Sequence, residues 1–444
     1  MIRKLSCLLF FIILSIISAS AEPAAIIAPD SGLIGAFEPI KKEDSLLILA
    51  PHPDDEAIGC AGIIQQAQSV GAKIHVAYLT NGDHNQVAFI VYEKRLTLRT
   101  GEFIHMGQVR RREAIKAMKL LGLEESQLTF LGYPDFGTFT IFSQYWQDTK
   151  PFKSLLTRIS KVPYKENLSF GAPYKGESIL NDLKSVLLKT KPNKIFVSHP
   201  LDVNVDHRAF YLFLEVALLD LDKKIPVPKV YPYLIHCVGW PLPRHYHPEL
   251  ALEPPKKFLN SEINWAQLRL TPEQLKKKYQ AILCYRSQTQ SSAFYLLSFA
   301  RKNELFAELK DLILDTSGKL SDTERDRYGL IGDSLFIRIE KKPEIKRGFV
   351  IIFYLFGYSN KQPFSSMPKI RIVAAASRLK VFNGRKMIKP EGVTLESQGK
   401  SLVLKIPLQA LGEPDFILTS IKRYTGVLPV DAAAFRRIKI IRRR

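Results

Sequence analysis

The feature that most constrains the fold is an uncharged, mainly aliphatic run, Ser45-Leu46-Leu47-Ile48-Leu49-Ala50, broken at once by Pro51-His52-Pro53. A short apolar stretch without alternation suits a strand covered on both faces, as in a parallel sheet. Residues 56–70 then read as a helix, entered through Asp54-Asp55 and left at Gly71. Residues 73–79 form a second strand, ending at Thr80-Asn81-Gly82-Asp83. The pattern continues with a helix over 110–121, a strand over 128–131 and a helix over 178–188. A strand over 194–197 runs into Ser198-His199-Pro200, and a helix over 206–219 follows. This alternation predicts an α/β domain, Rossmann-like, with a mostly parallel sheet and helices on both faces.

Two stretches, 84–109 and 135–176, lack clean periodicity and follow strand ends. Long loops at that edge are expected to shape a substrate site. After about residue 326 short strands take over, at 334–340, 349–355, 369–373, 379–382, 401–406 and 416–420, with turns such as Asn383-Gly384. That predicts a C-terminal all-β sandwich. A carbohydrate-binding role for it is a fold-level analogy. The expected division is 1–21, 22–326 (core 43–300) and 327–444.

Arg3 and Lys4 precede an apolar stretch over 5–17, and Ser18-Ala19-Ser20-Ala21 follows. This is the pattern of a signal peptide cut after Ala21, so the protein is expected to be exported, periplasmic or extracellular; an uncleaved anchor is the alternative. The net charge of +21 favours polyanions. Export argues against nucleic acid and leaves an anionic envelope surface, with the basic C-terminal tail at 436–444 read either as its contact or as a solubilising end. Cys60, Cys237 and Cys284 remain after the signal. An odd number in that setting reads as buried thiols rather than a disulfide framework.

The chemistry is concentrated after the first strand. His52, Asp54, Asp55 and Glu56 place one imidazole and three carboxylates together. Burying them without a partner is costly, and a divalent metal is the obvious partner. His52 and Asp55 can face one side of a tight turn as N and O ligands, with Asp54 directed elsewhere as a base. The second dense segment, His199-Pro200-Leu201-Asp202-Val203-Asn204-Val205-Asp206-His207, also follows a strand. His207 completes a His/Asp/His set, the ligand pattern of catalytic zinc with one position open. The competing reading makes Asp54 and Asp55 helix caps and lets His199 and Asp202 hold a turn. Two such segments at one sheet edge favour the metal. Trp240, Trp265, Tyr133 and Phe136 read as core, and His236, His245 and His247 as loop residues without a metal role, since no strand-end carboxylate accompanies them.

Pro51–Glu56 taken with Asp206-His207 resembles the PIG-L (LmbE-like) N-acetylglucosaminyl deacetylase family. Weaker matches are Leu79-Thr80-Asn81-Gly82-Asp83, Arg110 with Glu113, Leu121-Gly122, Lys278 with Ala281-Ile282, and Ser287-Gln288. The resemblance implies a zinc-dependent deacetylase of an N-acetylated amino sugar or glycoconjugate. It implies zinc on His52, Asp55 and His207, Asp54 as general base, and Arg110 as a substrate contact. Many members carry a His three residues before the last ligand, where this chain has Asn204. An amide can donate to an oxyanion but cannot act as a general acid. Proton delivery then falls to Asp54, to His199 or to a residue of the inserted loops. Two alternatives follow: an N-acyl amidase on another glycoconjugate, or a non-catalytic envelope glycan-binding protein with a degenerate metal site.

Overall fold

A computed structural model of the chain describes residues 34–442, apart from 86–89, 93, 95–98, 148, 259–262, 316–325, 341–348, 376–377 and 426–427. The expected signal segment, 1–21, lies outside the described residues, as do Arg443 and Arg444. Residues 35–444 form one compact unit, and of the N-terminal unit, 1–34, only Ile34 is described.

After β1 (Ile34–Ala36) the chain builds a five-stranded sheet. Its strands are β2 (Ser45–Ala50), β3 (Lys73–Thr80), β4 (Leu128–Tyr133), β5 (Lys194–Ser198) and β6 (Lys229–Tyr233). The order is β4-β3-β2-β5-β6 and every pairing is parallel. The uncharged run behaves as its composition requires, with Leu46 to Ala50 all buried. Helices α1 (Asp55–Val70), α2 (Thr100–Leu120), α3 (Thr138–Gln144), α4 (Gly176–Thr190) and α5 (Val205–Asp220) alternate with these strands. β7 (Asn264–Arg269), α6 (Pro272–Leu283), α7 (Arg286–Leu296) and β8 (Asn303–Glu308) follow, and β7 joins β8 antiparallel.

The C-terminal part holds two sheets. One contains β10 (Asp326–Ile331), β11 (Ser334–Glu340), β16 (Thr394–Gln398) and β17 (Ser401–Pro407). The other contains β9 (Leu312–Asp315), β12 (Phe349–Tyr358), β13 (Lys369–Ala375), β14 (Arg378–Asn383), β15 (Lys386–Ile388), β18 (Phe416–Thr425), β19 (Leu428–Ala432) and β20 (Arg436–Ile441). Inward residues of both sheets, among them Leu335, Ile337, Phe353, Leu355, Leu404 and Ile417, share one core. This is the packing of a sandwich.

Four expectations need correction. The helix expected from 110 begins at Thr100, where the Glu102 carboxylate accepts the Arg99 N–H at 2.6 Å. Its early buried face carries Gly107 and Arg110 among Phe103, Met106 and Val109, so its apolar period is broken. The stretch 135–176 contains α3 and an irregular segment that buries Val162, Tyr164 and Tyr174. The sandwich starts at Leu312, because β9 pairs with β20 across the expected boundary. The basic C terminus is not a free tail: β20 buries Ile438 and Ile440, and Arg437 pairs with Asp311 and Glu215.

Candidate metal centre

β2 and β5 are neighbours, and the direction in which strands are added reverses between them. At such a point the loops leaving the two strands part and open a crevice. The first loop is Pro51–Asp54. Asp54 sits at φ 130°, a conformation a non-glycine residue adopts only when its surroundings enforce it. Arg110 supplies part of that force, donating from Nη2 to Pro53 O at 2.7 Å and from Nη1 to Gly82 O at 3.0 Å. Glu56 supplies more: its Oε2 accepts the Asp54 N–H at 3.1 Å and its Oε1 accepts the Tyr285 hydroxyl. Burial pushes the Glu56 carboxyl well above its usual range.

From the second loop, His207 enters at the start of α5. Asp55 Oδ2 lies 3.3 Å from His52 Nδ1 and 3.1 Å from His207 Nε2. One ligand atom from each of the three falls within 4.8 Å of the others, and all three side chains are buried. Both ring nitrogens of His207 stand 3.1 Å from a carboxylate oxygen, yet neither makes a hydrogen bond. The distances are those of ion pairs and the directions are not those of N–H donation; direction is the stricter criterion. Two imidazole nitrogens and a carboxylate oxygen, with an imidazole nitrogen left without a bond, fit a divalent transition metal.

Further carboxylates back the two imidazoles. His52 Nε2 is 3.1 Å from Asp135 Oδ1 and 3.5 Å from Asp206 Oδ2, and Asp202 Oδ2 faces His207 Nδ1. Such partners orient a metal-ligating ring and raise its basicity. Asp206 is itself fixed by the N–H groups of Phe136 (2.5 Å) and Thr138 (3.1 Å) and by the Thr138 hydroxyl. Burial alone would lower His207, but Asp202 and Asp55 raise it to about 9. Burial pushes the Asp54 carboxyl up to about 7, against the pull of the Arg110 guanidinium, whose Nη2 is 3.2 Å from Asp54 Oδ2.

The structure thus brings His52, Asp54, Asp55 and His207 together. It places three other expected residues elsewhere. Arg110 is only 3% exposed and its guanidinium braces two loops, so it supports Asp54 instead of presenting itself to a substrate. Asn204 caps α5, its side-chain oxygen accepting the Asp206 N–H at 2.9 Å. His199 is sealed, with Nδ1 accepting the Leu201 N–H at 3.0 Å and its ring stacked 5.6 Å from Trp265. Burial lowers His199 to about 3, so at neutral pH it is the neutral imidazole and not the acidic imidazolium.

Two residues at the centre carried no sequence signal. Asp135 lies in the aperiodic stretch. His236, set aside for want of a nearby carboxylate, finds one through the fold: Asp202 Oδ2 accepts its backbone N–H at 2.8 Å, and its ring lies 4.8 Å from that of His207. Asp202, His207 and His236 form a second group with ligand spacing. Tyr133, Trp240 and Trp265 are core residues as expected, whereas Phe136 is 37% exposed and its ring sits 5.2 Å from that of His84.

Fold and site together define an α/β protein with a buried His/Asp group at metal-ligand spacing at the carboxyl edge of its parallel sheet. Residues 47–218 match the family model described as PIG-L: GlcNAc-PI de-N-acetylase, so this stretch of the chain is similar to a PIG-L domain. No curated protein sequence matches. Among solved structures, the N,N'-diacetylchitobiose deacetylase from Pyrococcus horikoshii is 19% identical, with a TM-score of 0.34 over 56% of this chain and 72% of its own. The A40926 pseudoaglycone deacetylase Dbv21 is 15% identical, with a TM-score of 0.37 over 60% of this chain and 97% of its own. GalB, the 4-carboxy-2-hydroxymuconate hydratase from Pseudomonas putida KT2440, is 18% identical, with a TM-score of 0.36 over 58% of this chain and 82% of its own.

Proposed function

We propose that the protein is an exported, zinc-dependent deacetylase that hydrolyses the N-acetyl amide of an amino sugar in a glycan or glycoconjugate. The observation that carries this reading is the meeting of His52, Asp55 and His207 beside Asp54, at the edge where the PIG-L domain opens. The charged start, apolar middle and small residues of 1–21 support export.

Zinc held by His52, Asp55 and His207 would polarise the acetyl carbonyl and make a water acidic enough to attack at neutral pH. Asp54, in the same turn as two of the ligands and with the Arg110 Nη2 3.2 Å from its Oδ2, would take that water's proton as general base. Arg110 keeps the Pro53-Asp54 turn in place. Attack on the carbonyl carbon and rupture of the C–N bond release acetate. With Asn204 capping a helix and His199 buried as a neutral imidazole, Asp54 or a residue of the inserted loops would return the proton to the departing amine.

The test is acetate release from a panel of N-acetylated glycans by protein that is zinc-loaded, chelator-stripped and zinc-restored. Activity should disappear on stripping and return on restoration. Asp54→Asn should bind zinc normally and release no acetate. A variant with wild-type turnover would remove Asp54 from the mechanism, and silence across the panel would remove the deacetylase reading.

A further inference from the structure

The C-terminal sandwich touches the elements that build the metal centre. Tyr354 of β12 and Phe435, just ahead of β20, pack on Phe139 with ring centroids 5.4 and 5.8 Å away. Lys422 of β18 adds its Nζ 5.6 Å from the Phe139 ring centroid. Phe139 is the second residue of α3, a helix of seven residues. A helix that short has no stability of its own, so packing decides where it lies. Its N-terminal turn presents the Phe136 and Thr138 N–H groups to Asp206, which stands 3.5 Å from His52. A second route runs through Arg208, the residue after His207. It is buried, lies near Tyr354 and Tyr424 of the sandwich, and donates from Nε to Asp202 O at 2.5 Å. The carboxylate of Asp206, and the main chain that carries Asp202, therefore lean on groups that the sandwich holds.

We infer that the C-terminal sandwich is a working part of the metal centre, with Phe139 the positioning residue through which it sets Asp206 against His52. This rests on the metal-site reading above and takes no account of which amide is cleaved. The interface is rich in aromatic rings and continuous with the α/β core: Phe142 meets Phe356 and Phe364 at 5.2 and 5.5 Å, and Trp146 meets Phe364 at 5.2 Å. A tethered binding module would need no such shared core.

The experiment measures zinc affinity of the full chain by competition with a chromophoric chelator, beside thermal unfolding and kcat and KM for acetate release. Phe139→Ala should lose about tenfold or more in zinc affinity, the scale seen when a ligand's supporting partner is disturbed. Its kcat should fall with little change in KM, and Phe139→Leu should recover most of both losses. Tyr354→Leu thins the same contact and should behave like a milder Phe139→Ala; it carries the test if the alanine variant does not fold. Tyr358→Phe is the control. It removes a hydroxyl that bonds Asp220 at 3.1 Å, at the far end of α5 and about 20 Å along that helix from Asp206. It should lower Tm and leave zinc affinity unchanged. Folded Phe139 and Tyr354 variants that bind zinc like the wild type would overturn the inference, as would equal losses in Tyr358→Phe. A wild type that releases no acetate, while the Phe139 variants still lose zinc selectively, would defeat the deacetylase reading and uphold this one.

Discussion

Gly82 ends the first turn after β3 at φ 69°, and a Cβ built on it would lie 2.1 Å from Arg110 Nη1. The glycine is needed twice, for its backbone conformation and for the guanidinium pressed against it. Gly82→Ala should cost about 1–3 kcal/mol from backbone strain alone. It should also displace Arg110 from Pro53 and Asp54, so acetate release should fall further than the drop in Tm accounts for. Thermal unfolding and activity measured on one preparation separate the two effects. The residues of this centre were legible in the sequence in proportion to how locally they are placed. His52, Asp54 and Asp55 share one turn after an unmistakable strand, and His207 stands at the start of a helix after another. Arg110 was legible as important and not as buried, because its partners are main-chain oxygens of two other segments. Asp135 and His236 could not be read at all, since their pairing with His52 and Asp202 exists only in three dimensions.

Elements here are also joined by buried charges. Lys278 of α6 is fully buried, and its Nζ donates to Glu304 Oε1 of β8 at 2.7 Å. The same carboxylate accepts the N–H groups of Gly62 and Ile63 in α1, at 2.8 and 3.2 Å. Gly62 permits the approach, as a Cβ there would come 2.9 Å from Glu304 Oε2. One ion pair thus ties a strand to two helices behind the metal loop. Removing one partner of a buried pair strands the other charge in a low-dielectric interior, so Lys278→Met should destabilise by about 3–5 kcal/mol. A chemical denaturation midpoint measures it directly. The strands of the α/β part are the unbroken apolar runs the sequence shows, and α4 and α6 keep an amphipathic period, whereas α1 and α5 are buried nearly all round. Two further departures are α2, where Gly107 and Arg110 break an apolar face, and α3, where seven residues are too few to show a period.

At the scale of the whole molecule, the expected boundary at 327 divides what the fold unites. Lys369 of β13 shows how far the union goes. It is buried at the junction, its Nζ 5.0 Å from the Trp146 ring centroid and 3.9 Å from that of Phe364, and it donates to Phe364 O and Met367 O at 2.5 and 2.7 Å. Burial outweighs the pull of the Glu177 carboxylate and the partial negative charge of two carbonyls and two aromatic rings, and lowers the amine to about 7. In the unfolded chain a lysine titrates near 10.4. Between these values the unfolded state binds more protons than the folded one, so this group makes stability rise with pH across the window. The slope is at most about 1.4 kcal/mol per pH unit. Below pH 7 both states are charged and the folded protein bears the full cost of a buried ammonium. Lys369→Met cannot titrate, so the stability of wild type relative to the variant should grow between pH 7 and pH 9. Urea midpoints for both proteins at the two pH values give the answer: midpoints that shift in parallel would show an ammonium that stays charged between the two parts of the molecule.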